Sequence, residues 1–235
     1  MTRFVMLAVL VLSLSACGGG DDKQSAAPPA ATPTPSPTAS TPAAPVARTT
    51  AELTKALLEL ADLPGGFTED KEEPDEDAKP FSSPSSRCKT LVKYLNATKA
   101  PGSKASVART FTGGQEGPYI DFGLDSMSTA EQVAELRDSY AEAVESCTKV
   151  TLKTDGAGST SMKVETITAP EYGSKPFAFR LTGTSGPKRG LEYAAVVTGV
   201  DDVIVSVGVL AGQGTELDAA TEAAVTKARH VLEPA

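Results

Sequence analysis

The sequence predicts an α+β domain: an antiparallel sheet of about six to seven strands with N-terminal, central and C-terminal helices packed on it. Two observations carry this. From Val150 to Leu210 apolar residues recur with period two, and Gly-, Asp- or Pro-bearing breaks such as Thr154-Asp155-Gly156 and Gly199-Val200-Asp201-Asp202 punctuate them. Breaks so short suit antiparallel neighbours, because a parallel pair needs a crossover of roughly a dozen residues or more. The apolar fraction of 40% is enough for a core, and an aromatic content of 5% makes that core one of Val, Leu, Ile and Ala.

The elements follow in order. Thr49-Thr50-Ala51-Glu52 reads as a capping box opening a first helix, with Leu53, Leu57 and Leu60 on one side and Pro64-Gly65-Gly66 as its stop. A short second helix spans Ser86 to Leu95, with Cys88, Leu91, Val92 and Leu95 sharing a side. Ser106 to Phe111 and Tyr119 to Asp125 read as strands, the second with Ile120, Phe122 and Leu124 alternating. Ser128, with Glu131 three residues on, caps the clearest helix, whose buried stripe is Val133, Leu136, Tyr140, Val144 and Cys147. Val150-Leu152, Met162-Thr166, Phe177-Leu181, Leu191-Val197 and Val203-Leu210 read as five further strands. A terminal helix from Thr215 to Leu232 completes the pattern.

The chain before Thr49 reads as an address and a tether. After Arg3, an apolar and small-residue run of 13 residues from Phe4 to Ala16 has the length of a signal-peptide h-region rather than a membrane span. It ends in Leu14-Ser15-Ala16-Cys17, which resembles the lipobox of bacterial lipoproteins. That resemblance implies removal of residues 1–16 and acylation of Cys17, an anchor worth about 0.8 kcal/mol per buried methylene. Residues 17–48 form the lipidated cysteine and a Pro/Ala/Thr-rich tether, with seven of the 17 prolines between Pro28 and Pro45. Such a tract cannot bury apolar surface and stays extended, with a reach on the order of 60–70 Å. Residues 49–235 are left as one α+β domain.

With Cys17 assigned to lipid, Cys88 and Cys147 remain as an even pair in an oxidising compartment and read as a disulfide. A reactive-thiol or metal pair is the competing reading, but neither cysteine lies in a C-x-x-C, and His230, the single histidine, is far along the chain. The same histidine sits beside Arg229 in the last turn of the terminal helix, where it complements the helix C-terminus rather than a nucleophile. Ser86-Arg87-Cys88-Lys89 and Ser146-Cys147-Thr148-Lys149 match S-x-x-K but lack a companion K-T-G, and each contains a disulfide cysteine. Gly212-Gln213-Gly214 precedes a helix, yet no strand follows to complete a dinucleotide-binding unit. The acidic run Glu69 to Asp77 reads as a solvated loop, since it lacks the alternation and the Gly turn of a calcium loop. A net charge of −8 argues against nucleic acid as a partner. No catalytic residue, metal site or cofactor is predicted.

Leu60-Ala61-Asp62-Leu63-Pro64-Gly65-Gly66-Phe67, Cys88, Tyr140 and Cys147 on the long helix, and the late strand pair before a terminal helix, resemble an extracytoplasmic sensor domain. It is that of the mycobacterial receptor kinase PknH and its lipoprotein relatives; with the lipobox and tether, the whole resembles an actinobacterial cell-envelope lipoprotein. The resemblance implies an antiparallel sheet flanked by helices, with a cleft for an extracellular ligand. The kinase domain has two disulfides, whereas this chain can form one. The reading is therefore a non-enzymatic ligand-binding or sensing module on the outer face of the cell membrane. Its expected partners are the membrane, through acylated Cys17, and a small apolar or amphipathic ligand or an envelope protein. The alternative is a structural lipoprotein docking a larger envelope complex. Tyr94, Tyr119, Tyr172 and Arg180 are the amphipathic or charged groups nearest the sheet, and no ligand-binding residue is singled out.

Overall fold

The computed structural model describes residues 47–71, 78–212 and 214–233, so the segment read as a signal peptide, Cys17 and most of the segment read as a tether lie outside the described residues. The architecture is α+β as expected: nine strands form one sheet in the order β1-β3-β4-β9-β8-β7-β6-β5-β2, every neighbouring pair antiparallel. Seven are the strands the sequence announces: β3 Ala105–Thr112, β4 Tyr119–Ser126, β5 Lys149–Thr154, β6 Gly158–Ile167, β7 Ser174–Ser185, β8 Glu192–Val200 and β9 Val203–Leu210. The other two, β1 Thr68–Asp70 and β2 Phe81–Ser82, close the two edges. Strand β1 also shows that the acidic run begins in the sheet, with Glu69 and Asp70 paired to Phe111 and Thr110.

The four helices, α1 Thr50–Ala56, α2 Lys89–Leu95, α3 Ala130–Glu145 and α4 Gly214–Leu232, divide between the two faces. Because side chains alternate along a strand, Val203, Val205, Val207 and Val209 of β9 share one face with Val196, Ile120, Phe122 and Phe111. Helices α1 and α4 cover that face through Leu53 and Ala56 and through Leu217, Ala220, Ala224, Val225 and Ala228. Alanines four residues apart in α4 keep its inner stripe slim, and it packs on both α1 and the central strands. On the opposite face, α3 lies against β6, β7, β8 and β9. Its residues Ala143 and Val144 meet Met162, Val164, Phe179 and Leu181, while Val133 and Leu136 meet Val197 and Ile204.

Two helix termini differ from the sequence reading. The Thr49–Glu52 box forms, with the Thr49 amide donating to Glu52 Oε2 at 2.7 Å and the Glu52 amide to Thr49 Oγ1 at 3.3 Å. Helix α1, however, ends at Ala56, and Leu60 falls in a separate 3₁₀ turn, Leu60–Asp62, with 44% of its surface exposed. The turn has its own cap, since the Glu59 amide donates to Asp62 Oδ2 at 2.7 Å, and this local bond competes with helix continuation. Helix α3 is capped by Thr129, not Ser128: the Gln132 amide donates to Thr129 Oγ1, and Ser128 sits at φ 77°, outside any capping geometry.

Cys88 and Cys147 form a disulfide across a sequence separation of 59. It fastens the residue before α2 to the second residue beyond α3, and so joins the two helices of the second face. Where the chain enters the domain, Arg48 makes three bonds. Its amide donates to Ser126 Oγ, its Nε pairs with Asp202 Oδ1 at 3.0 Å, and its Nη1 donates to the Leu232 carbonyl at 2.8 Å. Arg48 is thereby fixed to β4, to the β8–β9 turn and to the end of α4.

Candidate ligand cavity

Helices α2 and α3 roof only part of the second face, and a cavity of about 450 Å³ opens where the cover stops. Its floor is a row of small residues brought together by strand register. Gly208 of β9 lies between Ala195 of β8 and Asp121 of β4, and Gly123 of β4 lies between Ser206 and Ala108. Larger residues here would fill the space. A Cβ on Gly208 would collide with the Tyr193 hydroxyl, so the Tyr193 side chain crosses directly over that glycine.

The inner wall is apolar: Phe179, Leu181, Met162 and Ala195 are buried, and the ring centroids of Phe179 and Tyr193 stand 6.4 Å apart, edge to face. From the roof, Tyr94 of α2 and Tyr140 of α3 stack with centroids 4.2 Å apart, and the Tyr94 hydroxyl hydrogen-bonds Ser139 Oγ at 2.7 Å. Towards the opening the lining turns polar and exposed, with Thr98, Lys99 and Asp121.

Two carboxylates face this space. Asp125 is buried and pins the segment after α2, accepting from the Ala100 amide at 3.0 Å, with the Ser106 and Ser103 hydroxyls and the Lys99 charge nearby. Burial outweighs these partners and pushes its carboxyl above the usual range. Asp121 is open to solvent through the cavity yet hemmed in by protein; that enclosure raises its pKa, opposed by the Thr110 hydroxyl and reinforced by the negative charge of Asp70. Thr110 Oγ1 donates to Asp121 Oδ1 at 2.9 Å, the one hydrogen bond to this carboxylate among the described residues. Enclosure likewise pushes the Tyr193 and Tyr140 phenols up, with Asp121 and Asp125 respectively adding to the effect.

Four residues apart on one strand, the two aspartates stand about 13 Å from each other along the backbone. That is beyond the roughly 5–9.5 Å at which two carboxyl groups cooperate in glycoside hydrolysis. Among the described residues, no group of three or more His, Cys, Asp or Glu side chains is placed to hold a metal.

Of the four groups nearest the sheet by sequence, only Tyr94 reaches the cavity. The Tyr119 hydroxyl donates to the Gln115 carbonyl at 2.7 Å in the β3–β4 turn, Tyr172 packs on the α1/α4 face, and Arg180 lies beside Glu192, turned away from Phe179 and Leu181. His230 is exposed on α4. The S-x-x-K serines, Ser86 and Ser146, flank the disulfide. Asp121, Gly123, Asp125, Tyr193 and Gly208 were not singled out in the sequence. For the three on β4 the signal was the Asp-x-Gly-x-Asp interleaved with Ile120, Phe122 and Leu124, which in a strand puts all three polar or small positions on the face opposite the core.

No family model and no curated protein matches the chain. Among solved structures, the fold is similar to the crystal structure of the extracellular domain of PknH from Mycobacterium tuberculosis. That likeness has a TM-score of 0.61 at 15% sequence identity and covers 81% of this chain and 100% of that one.

Proposed function

We propose that the protein is a non-enzymatic binding or sensing module, held at the outer face of the cell membrane by acylated Cys17, that takes a small amphipathic molecule into the cavity under α2 and α3. The observation that carries the reading is the cavity itself, whose volume of about 450 Å³ falls in the range of roughly 300–1,000 Å³ typical of small-molecule sites. The likeness to an extracellular domain and the disulfide support an extracytoplasmic setting. The lipobox-like Leu14-Ser15-Ala16-Cys17 supports the anchor. The test is native mass spectrometry of the full chain, extracted from host membranes in a mild non-ionic detergent. A small molecule retained at one per chain is the expected result. A bare chain accompanied by a stoichiometric second protein would overturn the reading in favour of a docking lipoprotein.

A further inference from the structure

Given that ligand-binding reading, on which this step rests, the cavity also specifies the sign of its ligand's head group. The lining is graded: apolar and buried at Met162, Phe179 and Leu181, polar and exposed at Thr98, Lys99 and Asp121. A ligand matched to that gradient puts a hydrocarbon part inside and a polar head near β4. Among the described residues, the charged groups around that head position are Asp121 and Asp125 of β4, Asp70 of β1 beside Asp121, and one cation, Lys99, from the segment after α2. Lys99 acts on Asp125, which the Ala100 amide already holds. Asp121 has a single neutral partner, Thr110, and its nearest like charge, Asp70, repels an anion from the same spot. Across the floor, the Tyr193 hydroxyl, which lies over Gly208 close enough to feel the Asp121 charge, has no hydrogen-bond partner among the described residues. A carboxylate with spare acceptor capacity and a phenol oxygen that can also accept are what an ammonium head needs.

We infer that the cavity binds an amphiphile carrying a protonated amine, with the ammonium on Asp121 and the Tyr193 hydroxyl and the hydrocarbon part against Phe179 and Leu181. An anionic head would meet three carboxylates and one rim lysine. A neutral head would leave the Asp121 charge half-desolvated and uncompensated.

Decylamine, decanol and decanoate, each titrated into the full chain below its micellar concentration, separate these cases. The readout is tyrosine fluorescence, which is clean here: the chain has no Trp, and three of its five Tyr, namely Tyr94, Tyr140 and Tyr193, line the cavity. Decylamine is expected to bind at least tenfold more tightly than decanol, and decanoate more weakly than both. Asp121→Asn is expected to erase the preference for the amine, weakening decylamine and relieving the penalty that the aspartate charge places on decanol. The amine's advantage also fades as pH falls and Asp121 takes up a proton, because the amine itself stays charged there. Equal binding of amine and alcohol by the wild-type chain, or a preference for decanoate, would overturn the amine assignment and leave the cavity reading standing. Binding of none of the three would overturn both.

Discussion

Removing the disulfide tests both the stability argument and the part of the fold that shapes the cavity. The double substitution Cys88→Ala/Cys147→Ala deletes the bridge without leaving a buried free thiol, at positions only 3% and 1% exposed. In the chain-entropy model, a separation of 59 residues removes about 14 cal/mol/K from the unfolded ensemble, or about 4 kcal/mol at 25 °C. For a domain of this size, each kcal/mol moves the melting temperature by roughly 2–4 °C, so the variant should melt about 8–16 °C lower. Urea titration of the oxidised wild type and the variant, followed by far-ultraviolet circular dichroism, measures the same difference as a shift in midpoint. The bridge also joins the start of α2 to the end of α3, and Tyr94 and Tyr140 stack on those two helices. Its loss should therefore weaken decylamine binding even at temperatures where the variant is fully folded. A variant within about 1 kcal/mol of the wild type would refute the loop-entropy reasoning. Unchanged ligand affinity in a folded variant would refute the idea that the bridge holds the roof.

Three further outcomes follow from the same geometry. Phe111, fully buried and edge to face with Phe122 at 5.7 Å, should cost about 3–5 kcal/mol on conversion to Ala, read as a loss in urea midpoint. The folded pKa of Asp121 lies above its unfolded value, so the unfolded chain binds fewer protons between the two and stability falls as pH rises through that window. Asp121→Asn should accordingly raise the urea midpoint at neutral pH and leave it unchanged at pH values below the ordinary aspartate range; an equal shift at both would contradict the electrostatic origin. Cys17→Ser should move the protein from the membrane fraction to the medium, and retention in membranes would exclude the lipid anchor.

The fold was legible because its signals are local and repeated. Strand β9 is almost continuously apolar, Val203-Ile204-Val205, because it lies near the middle of the sheet with helices on both sides. The long helices show their stripes over several turns. Short features were not legible. Strands of two or three residues, such as β1 and β2, carry too few positions to show a period, and the choice between Ser128 and Thr129 as cap turns on one residue's φ angle. The cavity was hidden for a different reason. In isolation, Asp121, Gly123 and Asp125 look like the solvent face of a half-buried strand. Only the long-range pairing of β4 with β9, and of β9 with β8, sets Gly123 beside Ser206 and Gly208 beside Ala195. No window of sequence contains that juxtaposition.

The two faces of the sheet do different work, and the difference can be traced to side-chain volume. On the α1/α4 face, Val196, Val205, Val207 and Phe122 present branched or aromatic groups that two helices cover closely, which fixes the strand register. That register is what holds Gly123, Gly208 and Ala195 together on the reverse side, where their small size costs packing and opens space. A lone glycine in a central strand is unfavourable, and a pair in adjacent strands more so. The loss is tolerable here because the same strands are secured from the other face. The disulfide then fastens the start of α2 to the end of α3 above that floor, with Asp121 at the open end and Phe179 at the closed one. Enlarging a floor residue should thus abolish binding with little effect on the α1/α4 core, whereas Phe111→Ala, which strikes that core, should lower stability and binding together.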